Sequence, residues 1–137
     1  MMSSSTLDDF GKLILRITVG ILLLMHGIAK ISNGIGPIES MVTARGLPVF
    51  LAWGVYVGEV IAPLLLILGF YTRLGGLLVA GNMIVAIILA HAGQLGLITN
   101  NGGWRLELQG LFLFGGLALA FLGAGAYSLG GRGGRWN

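Results

Sequence analysis

The chain has 137 residues, 55% of them apolar and only 9% charged, with a mean hydropathy of +0.92 and a formal net charge of +3. A soluble domain carries about 25% charged residues, and a chain this short cannot hide so much apolar surface inside itself, so lipid is the expected solvent. Cysteine is absent, which excludes disulfides and thiol redox chemistry on this chain, and the basic residues lie at segment ends rather than in a patch, which excludes nucleic-acid binding.

Taken in order, four apolar segments approach the ~20 residues that cross a hydrocarbon core. The first covers residues 13–31, with Thr6 as a candidate N-cap and Asp8 and Asp9 in the first turn. It contains Arg16, His26 and Lys30 and lacks a small-residue cleavage site, so no cleavable signal peptide is expected. The loop to Pro48 is long. Pro37 suits a first helical turn, Gly46 suits the residue after a helix end, and Ile38, Met41 and Val42 fall at helical spacing. The pattern predicts a short interfacial helix, a lid over the bundle; a plain connector is the alternative. The remaining spans are predicted at 49–70, 74–98 and 106–122, followed by a Gly- and Arg-rich tail that reads as flexible and in contact with anionic lipid. The expected fold is a single all-α domain, residues 1–137, built as a four-helix transmembrane bundle. Small residues four apart, at Gly54, Gly58 and Ala62, at Gly76 and Ala80, and at Gly116 and Ala120, fit close helix packing.

Lys12, Arg16, Arg73, Arg132 and Arg135 fall on the side of the N-terminus, against Lys30, Arg45 and Arg105 on the other. The positive-inside rule then places both termini in the cytoplasm.

The informative residues are the polar ones inside the apolar segments: Arg16, His26, Lys30, Glu59, Asn82, His91, Gln94, Glu107 and Gln109. A charge at mid-bilayer costs roughly 2.5–3.5 kcal/mol even on lenient scales, so such groups face inward and find partners. At about 100° per residue, His26 and Lys30 share a face, with Arg16 within about 40° of Lys30. Two carboxylates, Glu59 and Glu107, stand opposite this basic stripe. Asn82 and His91 point to opposite faces of an ideal helix, so either the third helix is distorted or Asn82 meets another neighbour. The network reads either as a ligand-binding or proton-relay pocket formed by Arg16, His26, Lys30, Glu59, His91 and Glu107, or as ion pairs that fix helix register.

These residues also carry a resemblance. Arg16, then His26-Gly27-x-x-Lys30, Gly58-Glu59, the run Leu68-Gly69-Phe70-Tyr71-Thr72-Arg73, His91, Glu107, and Gly123-x-Gly125-x-Tyr127-Ser128-Leu129 occur in the order and spacing of the DoxX-like membrane proteins, which the chain resembles over nearly its whole length. Ala124 stands where proline is frequent in that family, and Gly130 where an acidic residue is frequent. The resemblance implies a four-helix protein of the bacterial cytoplasmic membrane associated with redox systems, some relatives being small subunits of thiosulfate:quinone oxidoreductase.

The leading expectation is a redox-associated protein that binds a quinone or similar lipid-soluble molecule. His26 and His91 would meet carbonyl oxygens, Glu59 and Glu107 would carry protons, and Lys30 or Arg16 would stabilise negative charge. The sequence has no flavin, iron–sulfur or nicotinamide motif, so electrons would come from a membrane or soluble partner protein. Haem between His26 and His91, or a metal held by them with Met25 or Met41, is a lesser alternative, because two histidines are a thin signal. A non-catalytic accessory subunit and a small transporter that works as a homo-oligomer are the competing functions.

Overall fold

The computed structural model describes residues 1–137, and its regular structure is all helical apart from a single β-bridge between Ile98 and Trp104. Its helices are α1 (Ser4–Asn33), α2 (Gly36–Ala44), α3 (Val49–Leu68), α4 (Thr72–Gln94) and α5 (Glu107–Leu122). Three of them, α1, α3 and α4, are long and apolar enough to cross a membrane, while α5 is a shorter apolar helix of 16 residues. At a rise of about 1.5 Å per residue α5 spans about 24 Å, against about 30 Å of hydrocarbon.

Local chemistry sets the ends. The cap of α1 is Ser3, three residues ahead of the expected Thr6; its hydroxyl accepts the Thr6 N–H at 3.3 Å. The extra turn is hydrophilic, so hydropathy alone does not register it. The 32–48 loop does contain a helix and is more than a connector: Pro37 lies in the first turn of α2, and Gly46, at φ 73°, follows its end. Its apolar face is pinned by a small cluster of Ile35, Val42 and Ala52. Both α3 and α4 end earlier than hydropathy predicts, α3 because Gly69 turns left-handed (φ 69°) and α4 because the chain enters a loop tied by the Trp104 indole N–H, which donates to the Leu95 carbonyl at 2.8 Å.

Each of four helices contributes two residues to one core: Val19 and Leu23 from α1, Ala62 and Leu66 from α3, Val79 and Met83 from α4, Phe112 and Leu119 from α5. Glycine allows the closest approaches. A Cβ on Gly76 would overlap the Gly116 carbonyl, and one on Gly58 would overlap the Asn82 side chain. Gly54, expected to share that stripe, has no atom within 4 Å of where its Cβ would lie. The tightest point is Gly27 of α1, where a Cβ would collide with the Glu59 carbonyl of α3. Since backbone cannot swing aside as a side chain can, Gly27→Ala is expected to cost about 1–3 kcal/mol by overpacking, read as a lower thermal unfolding midpoint in detergent.

The Gly- and Arg-rich tail, expected to be flexible, is docked. The Leu129 and Gly130 N–H groups donate to the Leu68 and Gly69 carbonyls, each at 3.0 Å, and the Trp136 carbonyl accepts the Arg73 N–H at 2.9 Å. The two positions that depart from the family pattern both meet Asn137: the Ala124 N–H, which proline would lack, donates to the Asn137 carbonyl at 2.6 Å, and Gly130 leaves room for the Asn137 amide. Arg132 pairs with the buried Asp9 carboxylate, which also accepts the Ala126 N–H at 3.1 Å.

Asp9→Asn removes the charge that Arg132 pairs with and weakens the acceptor of the Ala126 N–H, so hydrogen exchange at the Ala126 amide is expected to accelerate in that variant.

Candidate functional site

A cavity of about 670 Å³ lies between α1, α3, α4 and α5, with α2 across its end. Its walls are mostly apolar, including Leu23, Met83 and Phe112, and α2 contributes Ile38, Met41 and Val42. Six polar residues line it: His26, Lys30, Glu59, Asn82, His91 and Gln109.

The centre of the site is Glu59. It sits in a wide i→i+5 turn that interrupts α3 at Val57–Ile61, and it is buried, with 6% of its surface exposed. One carboxylate oxygen, Oε2, accepts from Lys30 Nζ at 2.6 Å, and the other, Oε1, accepts from Asn82 Nδ2 at 3.2 Å. Lys30 belongs to the last turn of α1, where helix carbonyls favour a cation, and its side chain keeps 28% of its surface. The Tyr56 hydroxyl donates to the Lys30 carbonyl at 3.5 Å, tying α3 to the end of α1. His26, one turn earlier, stands edge-on to Phe112 with ring centroids 6.0 Å apart.

His91 reaches the same cavity through a second wide turn, Ile87–His91 in α4. In a regular helix Asn82 and His91 would be about 180° apart; one extra residue in the turn reduces the offset to about 80°. The expected conflict between them is thus resolved by distortion of the helix. His91 Nδ1 lies 3.1 Å from Gln94 Oε1. The turn also leaves backbone carbonyls without helical partners, and Arg45, just past α2, donates to the Ile88 carbonyl at 2.9 Å.

Of the six site residues expected from sequence, His26, Lys30, Glu59 and His91 line one cavity. Arg16 and Glu107 do not. Arg16 is fully buried 14 residues before Lys30, which is about 21 Å along a helix axis, and its guanidinium donates to the carbonyls of Leu66 (2.9 Å), Ala124 (2.7 Å) and Tyr127 (3.1 Å). Glu107 is exposed in the first turn of α5, and Gln109 faces the cavity from that helix instead. Asn82 is polar in the sequence but has no partner assigned there; its signal was the odd amide in an apolar run. Tyr56 and Arg45 carry no sequence signal, since each acts through backbone carbonyls.

The DoxX family profile matches residues 11–92, which include His26, Lys30, Glu59, Asn82 and His91. This chain belongs to the DoxX family. DoxX relatives cover most of it: Escherichia coli YqjF, named an inner membrane protein, is 32% identical over 90% of this chain and 92% of its own length, and a Haemophilus influenzae protein is 34% identical over 84% of each. Bacillus subtilis CatD, provisionally named an oxidoreductase, is 36% identical over 58% of this chain, a match that spans 59% of CatD's length. No solved structure matches. As a DoxX-family chain with three helices able to span a bilayer, this is a membrane protein.

Proposed function

We propose that the protein binds a quinone or similar lipid-soluble molecule in this cavity and serves a redox system of the bacterial cytoplasmic membrane. The observation that carries the reading is the cluster of Lys30 and Asn82 around the buried Glu59 carboxylate on the wall of a mostly apolar cavity. A buried ion pair gives little net stability once desolvation is counted, and the cavity volume falls in the range of small-molecule sites, about 300–1,000 Å³. The cluster is formally neutral, which suits a neutral ligand with hydrogen-bonding oxygens. In this reading His26 and His91 meet the ring oxygens, Glu59 carries a proton, and Lys30 offsets negative charge as it develops. Electrons come from a partner protein. CatD's name supports the redox association.

The proposal includes the topology. All four core helices cross, α2 lies at the far interface, and both termini are cytoplasmic, as the excess of Lys and Arg on that side favours. A second reading, a non-catalytic accessory subunit, draws on the fact that both Glu59 oxygens already have protein partners.

Redox difference spectra and quinone content of protein purified with its native lipids separate the two. A quinone-to-quinol change present in the wild type and lost in Glu59→Gln supports the ligand site; a blank spectrum from folded protein leaves the accessory role.

A further inference from the structure

The cavity is not closed on all sides. Near the α3–α4 turn the two helices are in contact: a Cβ on Gly75 would sit 3.1 Å from Leu65 Cβ and 3.3 Å from the Ala62 carbonyl. The next contact is Gly58 against Asn82. On the outer side of that contact, Gly54 of α3 and Gly81 of α4 have nothing within 4 Å of their Cβ positions, yet both line the cavity and both are exposed. Leu77, Gly81 and Val85 form one i, i+4 stripe on α4, and Gly54 and Val57 belong to α3; all five line the cavity and are exposed. The stripe is wholly apolar and leads to the wall that holds Glu59 and Asn82.

We infer that this gap is a lateral slit through which a hydrocarbon tail leaves the cavity for the lipid phase, so that the ligand is an amphiphile with a polar ring held at Lys30–Glu59–Asn82 and a long tail between α3 and α4. The inference rests on the ligand-binding reading above. A polyisoprenoid tail is far too large for 670 Å³ to enclose together with a ring, so it must exit, and the α3–α4 side offers a run of apolar, uncovered lining residues that includes two glycines. Glycine at both rims keeps the slit open where any larger residue would narrow it. Because lipid is as apolar as the slit, the tail gains little affinity by lying there; the slit's role is to avoid excluding it.

The test compares wild type and Gly81→Leu in nanodiscs, titrated with two benzoquinones of the same ring, one with a polyisoprenoid tail and one with methyl groups only. Gly81→Leu meets open space and improves helix propensity, so the fold is expected to persist. The expected result is that the variant loses about tenfold in affinity for the tailed quinone, or roughly 1.4 kcal/mol, and keeps wild-type affinity for the methyl ring. Equal affinities of the variant for both overturn the slit, as does a wild-type dimer that Gly81→Leu converts to monomer, because the groove would then be a helix-packing surface. If wild type binds neither ring, the quinone reading falls and the slit is decided by a phospholipid with a photoactivatable acyl chain. Labelling of buried Met83 and Phe112 in wild type but not in Gly81→Leu supports it; labelling confined to the outward Ile84 and Ile88 overturns it.

Discussion

Glu59→Leu is expected to lower stability by about 3 kcal/mol and to abolish ligand binding, and Lys30→Met in the same chain is expected to restore the first but not the second. Removing one partner of a buried pair costs about 3–5 kcal/mol because the other charge stays buried and uncompensated. The lower end applies here, since Lys30 keeps 28% of its side-chain surface and its flexible stem can carry the ammonium outward. In the double variant no charge is left unpaired, and two apolar side chains pack against cavity walls already lined by Leu23 and Phe112. Thermal unfolding in detergent, run beside quinone titration on the wild type and both variants, checks both halves. If the pair only fixes the register of α1 against α3, stability and binding return together in the double variant.

Arg16→Met is expected to be as damaging to the fold and indifferent to the chemistry. Its guanidinium has no carboxylate partner; it donates to one carbonyl in the last turn of α3 and to two in the segment past α5. The Leu66 carbonyl lies at the negative end of the α3 dipole, which favours a cation. Hydrogen bonds to a charged donor contribute about 1.5–3 kcal/mol each, partly offset by the desolvation of the ion, so a net loss of about 3 kcal/mol is expected for the methionine variant. Arg16→Lys should recover little, as one ammonium cannot reproduce the planar fork that reaches three acceptors. Because two of the acceptors, Ala124 and Tyr127, lie past α5, the loss should also free the tail, seen as cleavage by trypsin at Arg132 under conditions where the wild type resists.

The contrast between Arg16 and Lys30 marks what the sequence could and could not convey. Angular position around α1 was legible, since helical periodicity is a local property, and it grouped Arg16 with His26 and Lys30. Depth was equally legible as residue count, and 14 residues separate two environments rather than one. What was not legible is the identity of acceptors supplied by backbone: Arg16, Arg45 and Tyr56 all bind carbonyls, which every residue possesses. The tail was misjudged for the same reason, because a Gly-rich composition looks mobile while its order comes from main-chain bonds and from an Asp9–Arg132 pair 123 residues apart. Apolar segment positions, the α2 helix and the inward set of His26, Lys30, Glu59 and His91 were readable because each depends on side-chain type at short range. Glu107 was placed with that set by its charge alone, although at the first turn of α5 a carboxylate has a helix N-terminus to favour it and no need of the interior.

Both wide turns carry a consequence for comparison between family members. Each is one residue inserted into a helix without changing its path, so the residues beyond it are rotated by about 100° relative to an uninterrupted chain. Deleting Ile88, a residue with an exposed side chain, should therefore swing His91 out of the cavity while every chemical group of the site remains in the polypeptide. Two relatives with the same polar residues but a one-residue difference in length between Asn82 and His91 would then have different pockets, and spacing carries information here that residue identity does not.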